Sequence, residues 1–328
     1  MRAIEAFIES QGGPEVIDWR EVTLGEPGPG QLLVRHTAVG LNYLDTYHRN
    51  GTYPVPLPSG LGVEAAGEVL AVGADVHGFK PGDRVATFGP QRNAYASARI
   101  VPAAGMFKLP AGIDDETAAA ALLKACTVEA LVERCAKVEA GWPVLVHAAA
   151  GGVGLILVQW LKAIGATVIG TVSTEAKEAA AREAGADHVI RYKEQDVAAH
   201  VREITDGQGV PVTFDGIGMT TWNVSLKATA RRGLIAVYGN AGGPLTGVDI
   251  NILAQHGALF VTRPSLFDYY LDPGERAAGA ARVFEMLESG AVTVRVGQRY
   301  ALEDAARAHA DLEAGRTTGS SLLIPEPR

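Results

Sequence analysis

The pattern of apolar and polar positions changes character part-way along the chain. Through the first hundred residues, apolar positions come in short runs broken by Gly and Pro. Residues 1–10 alternate as an amphipathic strand, residues 31–36 follow a Pro/Gly turn at 26–30, and 68–73 repeat the pattern. The turn Lys80-Pro81-Gly82-Asp83 leads into a strand over 84–87. Short strands with this punctuation predict a β-rich, barrel-like domain. Residues 115–140 have few breakers and are rich in Ala, Leu and Glu. They predict a helix with Asp114 or Asp115 as its N-cap.

From Pro143 a β-α alternation begins. A strand over 144–147 leads through a glycine turn into a helix. Val153, Ile156, Leu157, Trp160, Leu161 and Ile164 of that helix recur at i, i+3, i+4, i+7, i+8 and i+11, which is one apolar face. Gly165 follows as its C′ residue. Further strands are predicted at 167–172, 188–190, 212–214, 234–238 and 259–262, with helices at 175–184, 197–205 and 221–230. Repeated β-α units of this kind imply a doubly wound parallel sheet. Residues 273–328 predict two helices and two short strands, at 292–296 and 320–324, that suit a return to the first domain.

Composition narrows the class. The 328 residues fit two domains or one large one, and the net charge of −8 disfavours nucleic acid and anionic membrane surfaces as partners. Arg231-Arg232 is the one obvious basic pair and reads as a solvated turn. Two cysteines, Cys126 and Cys135, cannot build a disulfide framework or a four-thiolate zinc site. The N-terminus lacks the apolar region of a signal peptide, and no apolar run is long enough to span a membrane. The expected compartment is therefore the cytoplasm.

The strongest chemical signal is His147-Ala148-Ala149-Ala150-Gly151-Gly152-Val153-Gly154, placed after a predicted strand and at the start of a predicted helix. Gly151 lets backbone approach a pyrophosphate, N–H groups at the helix start bind the anion, and Gly154 permits close helix–strand packing. Ala149 stands where G-x-G-x-x-G has its first glycine. A tight turn that binds nothing is the plainer alternative, and the strand-turn-helix context favours a dinucleotide. About 20 residues on, enzymes that use NAD place a carboxylate for the ribose 2′-OH. Val172 holds that position here. Ser173, Lys177 and Tyr192 suit a 2′-phosphate instead, so NADPH is the expected cofactor. Glu175 is expected to point away, and a solvated surface residue is the competing reading of Lys177.

These residues resemble a known family. The segments at 12–16, 40–47, 58–67, 80–85, 147–155, 261–266 and 319–324 look like those of zinc-independent NADPH:quinone oxidoreductases, in the medium-chain dehydrogenase/reductase superfamily. The likeness covers nearly the whole chain. It implies an α/β fold in which a doubly wound Rossmann domain, 126–265, is inserted into a GroES-like catalytic domain made of 1–125 plus 266–328. It also implies a substrate cleft between the two and a homodimer joined along cofactor-domain sheet edges. By resemblance, Asn42, Tyr47 and Tyr53 line the nicotinamide and substrate cleft, and Thr127 lies near the cofactor at the crossover. Gly151, Gly152, Val153 and Gly154 form the pyrophosphate turn, and Ser173, Lys177 and Tyr192 hold the 2′-phosphate. Tyr238, Gly239 and Asn240 flank the cofactor, Arg263, Ser265 and Leu266 approach the nicotinamide amide, and Arg316 reaches the 2′-phosphate.

The same alignment bears on metal. Where zinc relatives carry their ligands, this chain resembles them with Asn42, Val63 and Leu123. Glu64 remains, but one carboxylate does not make a catalytic zinc site, and no metal is expected. Reducing a simple ketone creates a strongly basic alkoxide, which calls for a Lewis acid or proton donor. Hydride addition to a quinone yields a phenolate, whose conjugate acid has a pKa of about 10, and an enone yields a delocalised enolate. Such acceptors need chiefly orientation and modest hydrogen bonding. Tyr47 and Tyr53 are candidates for orienting the acceptor or delivering a proton, against the plainer reading that they pack. Asp45 reads as a structural hydrogen-bond partner, Arg49 as a cleft-edge or surface charge, and Cys126 as a buried, inert thiol. Three readings stay open: quinone reduction, reduction of an enone or enoyl thioester on the same fold, and a crystallin-like NADPH-binding protein with little turnover.

Overall fold

The computed structural model describes residues 1–326. By compactness it divides into two units. One comprises Met1–Lys124 together with the chain from Val294 onward, and the other Ala125–Thr293.

The N-terminal part holds strands β1 (Arg2–Ile8), β2 (Asp18–Thr23) and β3 (Gln31–Leu41), then helix α1 (Tyr43–Asn50) and strand β4 (Ser59–Gly60). Strands β5 (Glu64–Val72), β6 (Arg84–Phe88), β7 (Ala98–Pro102) and β8 (Phe107–Lys108) lead to helix α2 (Asp115–Glu129). The helix expected over 115–140 is shorter in its α-helical form. It passes into a π-helical turn, Ala130–Cys135, closed by a bond from the Ala136 N–H to the Leu131 carbonyl. Lys137 then leaves in the left-handed region, at φ 49°.

The second unit carries β9 (Pro143–Val146), α3 (Gly152–Ala163), β10 (Thr167–Val172), α4 (Glu175–Glu183), β11 (His188–Arg191) and α5 (Val197–Ile204). After them come β12 (Val210–Asp215), α6 (Trp222–Ala228), β13 (Thr229–Val237), α7 (Ile252–Gln255), β14 (Phe260–Thr262), α8 (Leu266–Tyr269) and α9 (Pro273–Glu288). All six strands pair in parallel, in the order β11-β10-β9-β12-β13-β14. That is the doubly wound arrangement, whose strand order reverses between β9 and β12, the place where such sheets receive ligands at their carboxyl ends. Val144, Leu145 and Val146 are fully buried, as expected of a central strand covered on both faces. Each such side chain contributes about 1.5–3 kcal/mol. Arg231 and Arg232 are exposed, as expected, but lie inside β13 rather than in a turn.

The chain returns to the first unit through β15 (Val296–Ala301), α10 (Ala305–Glu313) and β16 (Ser320–Ile324). There β2-β1-β4 form a small sheet. The larger sheet runs β15-β16-β3-β5-β6-β8, with β7 also on β3. The strand expected over 292–296 instead starts at Val296. Val292 is buried and its N–H bonds the Met286 carbonyl at the end of α9, so its backbone closes that helix and does not join a ladder. The compact division also falls at 294 and not at 266. Residues 266–293 are tied to the second unit by Arg134 to the Tyr269 carbonyl, Arg282 to Glu133, and Gln159 to Thr293.

Candidate functional site

The glycine turn is built almost wholly from backbone. β9 runs into His147 and Ala148, the latter at φ 54°. Ala149 donates its N–H to the Thr171 carbonyl at 3.0 Å, and Gly151 donates to the Ala148 carbonyl at 2.9 Å. Gly151 is the extended N-cap of α3, and no side chain caps that helix. A Cβ at position 154 would sit 2.2 Å from the Ala148 oxygen and 2.8 Å from the Ala149 carbonyl carbon, both backbone atoms that cannot yield. A Cβ at 151 would meet only the Ala148 oxygen, at 3.3 Å. The turn therefore presses α3 against the strand end at Gly154 and leaves room beside Gly151, which is the cradle a pyrophosphate needs. The missing first glycine has a local counterpart, because a Cβ at Gly170 on β10 would lie 2.7 Å from the Ala149 Cβ. The extra methyl at 149 is accommodated by a glycine on the neighbouring strand.

Beneath this turn a buried chain of polar side chains ties three strand ends together. His147 meets Thr171 Oγ1 through Nδ1 and Ser225 Oγ through Nε2, both at 3.1 Å. Ser225 donates to Asp215 Oδ2 at 2.7 Å, so its oxygen accepts from His147 Nε2–H, and Nδ1 in turn accepts from Thr171. Burial lowers the His147 pKa, with Asp215 opposing, and keeps the ring neutral. Asp215 also receives the N–H groups of Ile217 and Gly218 and the Thr221 hydroxyl.

At the ends of β10 and β11 the expected phosphate residues gather. Val172 is level with Arg191, and the Tyr192 N–H bonds the Val172 carbonyl at 3.1 Å. Ser173 follows directly, Thr174 caps α4 by accepting from the Lys177 N–H, and Lys177 is in the first turn. Partial burial and the nearby Lys193 charge both lower the Lys177 pKa. Tyr192 is half exposed, and Glu175 is exposed at the start of α4. Glu178 is engaged by Arg182 and Arg191.

Further along the sheet, β12 and β13 end in facing glycines. A Cβ at Gly239 would lie 2.3 Å from the Gly216 oxygen, and the Tyr238 ring covers Gly216. Asn240 accepts from the Gly243 N–H, and Arg263 donates to the Val237 carbonyl at 3.1 Å. Ser265 is the N-cap of α8, and Leu266 opens that helix. No local pattern foretells what holds this segment. Arg134, from the π-helical turn, lies 4.7 Å from the Tyr270 ring centroid and 5.3 Å from that of Tyr269, and donates to the Tyr269 carbonyl at 2.7 Å. Arg134 and the Tyr270 hydroxyl both bond Glu129 Oε2. Burial, with Cys126 and Glu129 nearby, raises the Tyr270 pKa far above the usual phenol value. Thr127 is half-buried on α2, two residues before Glu129.

In the first unit, Asn42 is the N-cap of α1, a helix foreshadowed by no apolar periodicity. Its signal was the capping-box spacing Asn42-x-x-Asp45. The Asn42 N–H donates to Asp45 Oδ2 at 2.9 Å, and its Nδ2 donates to Glu64 Oε2 at 2.8 Å. Glu64 is fully buried, takes the Leu123 N–H on Oε1 at 2.7 Å, and pairs with buried Lys124 at 3.2 Å. Gly40 makes room for it, since a Cβ there would sit 2.4 Å from Glu64 Oε2. Asp45 also accepts from the Tyr95 hydroxyl, which meets His309 Nε2 at 2.9 Å. Burial raises the Asp45 pKa to about 7, and lowers that of His309 to about 3. Asp45 is thus the structural partner expected. Arg49 is neither a cleft-edge nor a surface charge. It is buried, bonding the Gly12 carbonyl, His309 Nδ1 and Glu313. Tyr47 and Tyr53 meet edge to face, with ring centroids 5.1 Å apart, and the Tyr53 N–H bonds the Tyr47 carbonyl. Arg316 belongs to the first unit and pairs with Asp311. Cys126 is buried and forms no disulfide.

The parallel sheet and its glycine turn define the class, a dinucleotide-binding dehydrogenase. Residues 152–268 match the family model for zinc-binding dehydrogenases, and 28–111 the model for the alcohol dehydrogenase GroES-like domain. A quinone oxidoreductase of Pseudomonas aeruginosa is 48% identical over 96% of this chain and 97% of its own length. The crystal structure of Escherichia coli quinone oxidoreductase complexed with NADPH superposes with a TM-score of 0.96, at 45% identity, over 98% of this chain and all of that one. A 2-haloacrylate reductase of Burkholderia is 43% identical over 98% of each chain. The chain belongs to the quinone oxidoreductase family of the medium-chain dehydrogenase/reductases. The residues around Glu64 do not suit a zinc ion, because three donors already engage that carboxylate. Among the described residues no three His, Cys, Asp or Glu side chains form a metal-binding group.

Proposed function

We propose that the chain reduces quinones with NADPH. The observation that carries this reading is the end of β10, where Val172 stands in place of the carboxylate of NAD enzymes, Ser173 follows it, Tyr192 bonds back to it through its N–H, and Lys177 lies in the first turn of α4. A carboxylate there would repel a 2′-phosphate, whereas an ammonium and two hydroxyls receive it. The quinone oxidoreductase crystallised with NADPH supports the same cofactor. NADPH supplies the hydride; the protein's part is to hold and orient. Gly151 to Gly154 cradle the pyrophosphate, with Thr127, Tyr238, Gly239, Asn240, Arg263, Ser265 and Leu266 along the nicotinamide half and Arg316 at the 2′-phosphate. Asn42, Tyr47 and Tyr53 orient the acceptor. A quinone accepting hydride and a proton becomes a hydroquinone, and the charge that develops on its oxygen needs only modest hydrogen bonding. Identity to the 2-haloacrylate reductase favours an activated alkene as the second acceptor class.

We further propose a homodimer built on β14. That strand closes the sheet, and Phe260 (60% exposed) and Val261 lie on it, near in sequence to Ile250 (74% exposed). Two cysteines that form no disulfide suit the cytoplasm. The test is cofactor oxidation by chelator-treated protein offered 1,4-benzoquinone, a larger quinone and a simple enone, with NADPH and NADH in turn. NADPH-selective turnover of quinones is expected. Tight NADPH binding without turnover of any acceptor would overturn the enzymatic reading, and a monomer in analytical ultracentrifugation would overturn the dimer.

A further inference from the structure

Glu64 carries a full set of donors in a place where a carboxylate is costly to bury. It is sealed from solvent inside the first unit, on β5, and three groups converge on it: the Leu123 N–H on Oε1, and Asn42 Nδ2 and Lys124 Nζ on Oε2. Two features show that the site is built around this residue. Gly40, opposite Glu64 in the β3–β5 ladder, has no side chain, and a Cβ there would strike both the Ala119 carbonyl oxygen, at 2.2 Å, and Glu64 Oε2, at 2.4 Å. Lys124 is itself buried, with its side chain 6% exposed, and brings a positive charge that bonds Glu64. Replacing such a pair by apolar residues of similar size is often neutral or stabilising, so stability alone does not explain keeping it.

We propose that Glu64 is the positioning residue of the acceptor site, holding the Asn42 amide in one orientation, and that Lys124 is present to neutralise it. A carboxylate only accepts, so the Asn42 amide must turn its nitrogen toward Glu64 and its oxygen away. The Asn42 N–H bond to Asp45 fixes the backbone of the same residue from the other side. With the amide held this way its nitrogen keeps the second N–H in one fixed place, and a donor fixed in advance is the preorganisation a reacting oxygen rewards. Without Lys124, the buried negative charge beside Asn42 would oppose the negative charge that develops on the acceptor. The inference rests on Asn42 lining the nicotinamide and acceptor.

The test uses the full-length enzyme in a double-mutant cycle. Lys124→Met alone strands a buried carboxylate and can fail to fold, so the informative variants remove both charges. Glu64→Met/Lys124→Met deletes the acceptor for the Asn42 amide at nearly constant volume. Glu64→Gln/Lys124→Met restores an uncharged acceptor oxygen. The Met/Met variant is expected to lose about tenfold in kcat with NADPH affinity within twofold of the parent, and the Gln/Met variant to recover most of that loss. Adding Asn42→Ala to the Met/Met variant should cost nothing more. In cofactor-free protein, the Asn42 side-chain NH2 resonance, assigned by its absence in Asn42→Ala, should be slow to exchange in the parent and the Gln/Met variant, and fast in Met/Met. If Asn42→Ala alone leaves quinone reduction unchanged, the placement of Asn42 is wrong. If Asn42→Ala is damaging but multiplies with Met/Met, or if amide exchange is the same in all forms, Glu64 does not position it.

Discussion

The two units hold their polar groups by opposite means. Around the glycine turn of the second unit, the geometry is backbone. Ala148, Ala149 and Gly151 are fixed by main-chain hydrogen bonds, and Gly154 admits no Cβ. Around Asn42 in the first unit, the geometry is side chain. Glu64, Lys124, Asp45, Tyr95, His309 and Arg49 bond one another out of reach of water. A backbone site tolerates most substitutions except those that add atoms where chain meets chain. A side-chain network has no such tolerance, because each member that is removed leaves another buried and unsatisfied.

That contrast can be broken or sharpened by measurement. The largest effect should come from Gly154→Val, which drives a branched side chain into the Ala148 carbonyl. We expect NADPH affinity, followed by fluorescence titration, to fall by about two orders of magnitude or more, since the pyrophosphate cradle is displaced. Affinity within fivefold of the parent would show that α3 need not approach β9 so closely. Arg49→Met should be next, and should act on stability and not on the cofactor. Removing it leaves His309 and Glu313 without their cation, at a cost of about 3 kcal/mol in chemical denaturation. A loss below about 1 kcal/mol would mean that the network is less cooperative than its geometry implies. Lys177→Ala removes one charge-assisted phosphate contact. NADPH should weaken by roughly 10- to 100-fold while NADH changes less than twofold. Equal losses for both cofactors would remove Lys177 from the 2′-phosphate site.

The smallest effect concerns pH. The Asp45 pKa is raised from 3.8 to about 7 in the folded protein, so the folded state binds this proton more tightly than the unfolded chain does. Its contribution to stability is present below about pH 4 and is lost as pH rises through about 7. His36, His48 and His309 have lowered values and act in the opposite sense, because the unfolded chain protonates first as pH falls. Comparing parent with Asp45→Asn between pH 4 and 8 isolates the Asp45 term. The variant should lose less stability across that range, and parallel curves would place Asp45 among ordinary carboxylates.

The same contrast explains what could be read from the chain. The strand over 167–172, the helix beginning near Gly152 and the parallel order of the sheet follow from local periodicity and from a contiguous glycine turn. A backbone site leaves its mark in one short stretch, because glycine is demanded where the chain is crowded. The partners of Asn42 leave no such mark. Glu64 lies 22 residues from it, and Leu123 and Lys124 lie 59 and 60 residues from Glu64. Arg49 and His309 are 260 apart. Residue types alone made Arg49 a cleft-edge or surface charge, since arginine is seldom fully buried unless paired, and the pairing is visible only once the ends of the chain are together. The strand expected over 292–296 failed for a related reason. An alternating Val-Thr-Val pattern does not say whether its residues join a ladder or close the end of a helix.

The bonds from Arg49 and Tyr95 to His309 also bear on how the protein is made. The second unit is one unbroken stretch, Ala125–Thr293, and can fold as soon as it emerges from the ribosome. The first unit cannot be completed then, because α10 and β16, which close its core and its sheet, are translated last. Until they arrive, Arg49 and Asp45 must wait in a half-built domain with β3 uncovered along the edge that β16 will occupy. The part of the protein translated first is therefore the part finished last, and its exposure to chaperones and proteases is set by the time needed to synthesise the roughly 170 residues between.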